Sequence, residues 1–136
     1  MSNVLIATRR QEEFVQFLQL NGYMVEEIGS EIYKVTREDE LPVFISINNN
    51  TMYFEVDLGD VSAFADKELY FKLLDMNTEI LPVSFGINNT NADDPRLVLV
   101  ESRETGDLSD HEILAVFDAL ELATDKAENI LLEFVK

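Results

Sequence analysis

The sequence predicts an α+β domain: a five-stranded antiparallel sheet with helices, in the order α-β-β-β-α-β-β-α. Three observations predict it. Apolar residues recur at helical spacing near the amino terminus, in the middle of the chain and at its end. A two-residue alternation runs with short breaks from residue 31 to residue 58. The last helical stripe, Ile113 to Phe134, is the longest periodic segment present. The length of 136 residues is that of one domain, 1–136, with no linker-like or repeated stretch inside it.

Thr8-Arg9-Arg10-Gln11 has the spacing at which a hydroxyl and a side-chain amide reach back to opposite free backbone N–H groups, so a helix is predicted over residues 9–21. Phe14, Phe17 and Leu18 mark its apolar face, and Gly22 is placed to end it in a left-handed conformation. The period then changes from helical to two. Tyr33 and Val35 alternate with Lys34 and Thr36 in a strand over 31–37; Val43, Ile45 and Ile47 alternate with Phe44 and Ser46 in a second. Asn48-Asn49-Asn50 makes a hairpin turn, since asparagine tolerates positive φ and bonds to its own backbone. Met52, Phe54, Val56 and Leu58 form the third strand of an antiparallel meander.

Helical spacing returns over residues 61–77, with Leu69, Leu73 and Met76 on one face and Asn77 at the end. A strand over 83–87, a polar loop over 88–95 and a strand over 96–102 follow; the unbroken Leu97-Val98-Leu99-Val100 reads as buried on both faces. Ser109 and Glu112 repeat the capping-box spacing, and the closing helix should cross the whole domain.

Ten basic residues stand against 27 acidic ones, a formal charge of −17, which excludes phosphate-backbone binding to nucleic acid and attraction to anionic membrane surfaces. The charge is −4 over residues 1–50, −6 over 51–100 and −7 over 101–136, so it accumulates toward the last helix. Two readings of that surplus stand: it keeps the domain soluble, or it favours a basic partner segment. Hydrophobic residues are 46% of the chain, enough for a core. The absence of cysteine removes disulfides, cysteine-bound metals and thiol catalysis. Without a signal-peptide pattern or a long apolar run, a cytoplasmic protein that does not insert into a membrane is expected.

No Gly-x-Ser-x-Gly elbow, Walker loop or Gly-x-Gly-x-x-Gly run is present, and no cofactor is expected. His111 lies between Asp110 and Glu112 at the start of the last helix, where adjacent side chains diverge, so it reads as a solvated residue and not a base. Asn91, Asp93 and Asp94 offer oxygen ligands in one loop, but Pro95 interrupts the spacing a calcium loop needs. A small metal-dependent enzyme built on these carboxylates is the alternative to a binding module, as is a structural dimer. Phe44 and Tyr53 fall on the opposite parity from the main apolar rows. They are ordinary sheet aromatics or, with Ile32, a partly exposed apolar face that receives a partner. Leu69, Tyr70 and Leu73 on the middle helix are the expected homodimer contact.

Leu73-Leu74-Asp75-Met76-Asn77 with Leu81-Pro82-Val83-Ser84-Phe85-Gly86-Ile87 resembles the central motif of the YjfI-like family, small bacterial proteins with a domain of unknown function. Ile113 to Phe134, with Leu120-Glu121-Leu122-Ala123 and Glu128-Asn129, resembles that family's closing helix, so the likeness covers roughly residues 65–135. The element order is also similar to the type III secretion chaperone fold, which YbjN-like proteins share. These resemblances imply a cytoplasmic, dimeric, non-catalytic protein that holds partner segments on apolar surface. The first of them implies a link to a phage-shock protein A type membrane-stress system, whose coiled coil is a candidate partner.

Overall fold

The computed structural model describes residues 11–105 and 108–135. The expected capping box at Thr8 to Gln11 lies outside them in part and is not described. Helix α1 runs Gln11–Leu20. It closes as a Schellman motif: the Tyr23 N–H bonds to the Leu18 carbonyl (3.1 Å) and the Gly22 N–H to that of Gln19 (3.1 Å), with Gly22 at φ 89°. Only a residue without Cβ takes that φ at little cost.

Six strands follow where five were expected: β1 Met24–Gly29, β2 Ile32–Thr36, β3 Val43–Asn48, β4 Thr51–Gly59, β5 Ser84–Asn88 and β6 Arg96–Glu104. The unexpected one is β1. Its sequence, Met-Val-Glu-Glu-Ile-Gly, does not alternate, because Val25 is the one apolar side chain it turns toward the helices, Glu27 follows on that side, and a bulge breaks the register between Glu27 and Gly29. All neighbours are antiparallel in the spatial order β1-β2-β3-β4-β6-β5. Asn49 takes φ 56° in the β3–β4 hairpin, as its residue type predicts.

Helix α2, Lys67–Met76, starts later than expected. Residues 61–65 form a separate turn closed on the Val61 carbonyl, and Asp66 then caps the helix by accepting from the Leu69 N–H at 2.8 Å. Asn77 ends α2 in the right-handed region, and its side-chain oxygen accepts from the Phe85 N–H (2.7 Å), tying the helix to β5. Helix α3, Asp110–Leu132, carries the full capping box: the Glu112 N–H donates to Ser109 Oγ and the Ser109 N–H to Glu112 Oε1. Its 23 residues span ~34 Å at ~1.5 Å per residue.

The helices share one side of the sheet. Phe14 and Leu18 of α1, Leu69 and Leu73 of α2, and Ile113 to Ile130 of α3 pack on Tyr33, Val35, Ile45, Met52, Phe54, Val56, Phe85, Leu97 and Leu99. Aromatic contacts join the layers, with Phe117 of α3 4.6 Å from the Tyr23 ring and 6.0 Å, edge-on, from that of Phe54. Among the described residues this leaves the other side of the sheet without a covering layer.

Candidate protein-binding surface

Strand parity decides what the uncovered face presents. Ile32, Ser46 and Tyr53 lie in one cross-strand row and Lys34, Phe44 and Glu55 in the next, so Phe44 is the diagonal neighbour of both Ile32 and Tyr53. The three residues read from the sequence as a face are therefore brought together, on the side away from the helices. Ile32 is 40% exposed, Tyr53 36%, and Phe44 half-buried between them. Met24 and Ile28, exposed on β1, extend the apolar surface to the sheet edge. They escaped sequence analysis with their strand.

Polar groups frame this surface. The Tyr53 hydroxyl donates to Glu55 Oε1 (2.8 Å), and burial first, then that bond, pushes the phenol well above its ordinary pKa. Glu55 Oε2 accepts from the Asn88 side-chain amide at 3.2 Å. Beyond Glu55 a shallow groove runs between Tyr53, Val98, Val100 and Asn88, floored at Gly86, whose missing side chain leaves Val98 as the nearest wall. Arg96 closes the far end by gripping both Asp57 oxygens through Nε (3.1 Å each) and Asp94 through Nη1.

The residues expected on α2 divide. Leu69 and Leu73 are 0% and 2% exposed, spent in the chain's own core and out of reach of a second copy, while Tyr70 points outward. The exposed apolar side of α2 is Tyr70, Phe71 (70%) and Leu74 (66%). Helical spacing alone cannot tell which of two apolar stripes faces inward, and the Leu69–Leu73 stripe wins because it meets α3 and the sheet.

The remaining candidates resolve simply. Asp94 is engaged by Arg96, and the Asn91 side chain accepts from the Asp93 N–H (3.1 Å). Among the described residues no three acidic or histidine side chains gather as a metal site. His111 is exposed, and its neighbour Glu112 is committed to the cap and to Arg103 (3.0 Å). No helix among the described residues is long and apolar enough to cross a membrane.

The same architecture occurs elsewhere. A chain of the heterodimeric ExoU–SpcU complex from the type III secretion system of Pseudomonas aeruginosa superposes with a TM-score of 0.68 at 16% identity, covering 85% of this chain and 94% of that one. An uncharacterized protein from Methanothermobacter thermautotrophicus gives 0.71 at 12% identity, over 92% and 99% of the two chains. YbjN, a putative transcription regulator from E. coli, gives 0.63 at 15% identity, over 96% and 93%. At such identities these likenesses establish the fold. No curated protein matches the sequence. The sequence itself matches the CesT_Tir_1 family model over residues 8–136, nearly its whole length, and the chain therefore belongs to this family of type III secretion chaperones.

Proposed function

We propose that the protein is a non-catalytic, chaperone-like binding module that holds a segment of a partner protein against the open face of its sheet, at Ile32, Phe44 and Tyr53. The observation that carries this reading is an apolar strip, from Met24 and Ile28 on β1 to Tyr53 on β4, on a sheet face that none of the described helices covers. A face left to water is expected to be polar, and apolar patches that break this rule mark interaction sites. Family membership supports the same reading, and a chain of like fold is found in a heterodimeric complex. Main-chain bonds along the β1 edge would add affinity, and the aromatic pair selectivity.

The module acts in the cytoplasm as a homodimer through the exposed side of α2, with Tyr70 at the contact. A phage-shock protein A type coiled coil is the partner we propose to test first, on the resemblance of residues 65–135 to YjfI-like proteins. The test is capture of partner from native cytoplasm by the immobilised chain, compared with Phe44→Asp and Tyr53→Asp. Both changes should lower recovery about tenfold, a loss of ~1.4 kcal/mol, without changing the melting temperature by more than a few degrees. Unchanged recovery would remove the sheet face as the binding site.

A further inference from the structure

A second surface, on the opposite layer, has a different chemistry. Arg37 bonds to Glu40 Oε2 through Nη2 (2.9 Å) and lies 4.6 Å above the Tyr23 ring, which anchors the β2–β3 turn against α3. The turn, with Asp39 at φ 65°, and the carboxy-terminal half of α3 form the two walls of a groove. Its first part, about 230 Å3, is floored by Val43, Val56, Phe117 and Leu120. Its second part, about 750 Å3, continues past Leu41, Asp125 and Glu128, which line both, onto Leu58, Leu131, Leu132 and Val135.

The lining is apolar below and acidic above. Asp39, Glu40, Glu121, Asp125 and Glu128 rim it, and among the described residues no lysine, arginine or histidine lines either part. Glu40 and Glu121 face each other closely enough that the hydrogen bond and charge of Glu40 push the Glu121 carboxyl above its ordinary pKa. Leu132, at 72% exposed, and Val135 are large apolar side chains left in water at the groove's far end. A second copy of this chain is a poor occupant. Its own surface is acidic, and four of its seven described lysines and arginines, Arg37, Lys72, Arg96 and Arg103, are engaged with carboxylates of their own chain.

We propose that this groove docks a cationic amphipathic helix of a partner protein, its leucine-like face on Leu41, Leu58 and Leu132 and its lysine or arginine flanks on the carboxylate rim. The proposal rests on the reading of the chain as a protein-binding module, and adds a second site and the chemistry of what fills it. From Phe117 to Leu132 the α3 wall spans ~23 Å, which an amphipathic helix of about 15 residues would match. A helix with both features gains from each wall: its apolar face removes the exposed leucines from water, and its cations relieve a rim whose carboxylates outnumber the one cation, Arg37, that pairs with Glu40.

The test uses the full chain and a fluorescent synthetic peptide of leucine and lysine patterned as an amphipathic helix, with a scrambled peptide of equal composition as reference. The groove variant combines E121Q, D125N and E128Q; a second, Leu132→Ser, attacks the floor without changing charge, at an exposed position that cannot unfold the core. A charge-matched control, E26Q with D75N and E79Q, removes three exposed carboxylates outside the groove. The expected result is binding of the patterned peptide weakened about tenfold or more by both groove variants and within about twofold of unchanged in the control. Equal losses in groove and control variants, or equal binding of the scrambled peptide, would overturn the proposal, since only the overall charge would then be acting. The open-face changes Phe44→Asp and Tyr53→Asp separate the two sites: peptide binding that survives them while partner capture fails supports the groove on its own. Partner capture that responds to them while no groove variant affects the peptide removes the groove and leaves the open-face reading intact.

Discussion

Glu101 is the residue whose environment departs furthest from its chemistry. It sits on the helix side of β6, opposite Phe54, at 5% exposure, with neither carboxylate oxygen hydrogen-bonded among the described residues and Arg103 Nη1 at 3.5 Å as its ion-pair partner. Burial raises its pKa, and the Arg103 charge only partly opposes this. Because the folded state holds this proton more tightly than the unfolded chain, the contribution of Glu101 to stability is greatest at low pH. It falls as pH rises from the ordinary carboxylate range through the raised folded value, then levels. Glu101→Gln removes that penalty, and Arg103 keeps Glu112. The variant is expected to raise the melting temperature at pH 7 by a few degrees, roughly 1 kcal/mol, and to flatten the pH dependence between acid and neutral. Thermal unfolding across that range checks it; a lower melting temperature at pH 7 would mean the ion pair outweighs the burial.

Among the elements, the ends of helices are the clearest test of how far residue pattern determines structure. Ser109 and Glu112 form the reciprocal cap their spacing predicts, so Ser109→Ala should cost about 1 kcal/mol, read as a melting temperature lower by ~4 °C. The same kind of pattern fails on α2. Leu69 and Tyr70 are sequence neighbours on an apolar helix, yet the first is core and the second surface, a choice made by where α3 and the sheet lie and invisible in spacing alone. Leu69→Ala should therefore cost ~2–5 kcal/mol, whereas Leu74→Asp should leave stability within ~0.5 kcal/mol of unchanged. If α2 is the homodimer contact, Leu74→Asp also halves the mass in solution, measured by light scattering. Strand β1 was illegible for a related reason: an edge strand with one half-buried apolar side chain and a bulge carries no alternation to read. The meander β2–β4, by contrast, was legible because its helix-facing positions must all be apolar. The grouping of Ile32, Phe44 and Tyr53 followed from that same parity once the register was in place.

At the scale of the molecule, all three helices lie on one side of the sheet and the charge is strongly negative, and both facts bear on binding. The uncovered sheet face is apolar at Ile32, Phe44 and Tyr53 and carries charges of both signs at Glu26, Lys34 and Glu55, so its binding should depend on salt less than that of an all-acidic surface. The groove along α3 is rimmed by carboxylates of which only Glu40 is paired, with Arg37, among the five named, and its binding should weaken as the Debye length falls from ~10 Å toward ~3 Å between about 0.1 and 1 M salt. Salt titration of the captured complex and of the bound peptide would show two different slopes. Charge composition made an acidic surface legible from the start, but the groove was not, since residues 39–41, 57–58 and 121–135 meet only through the fold.

The measurement that bears most directly on the open face as the partner-binding surface is site-specific photo-crosslinking in cells. Tyr53 and Phe44 are replaced in turn by benzoylphenylalanine, with exposed Leu122 on α3 as the reference position. The account predicts a discrete adduct with one partner protein from positions 44 and 53 and none from 122. Adducts from 122 alone, or from none of the three while partner is still captured, would contradict it.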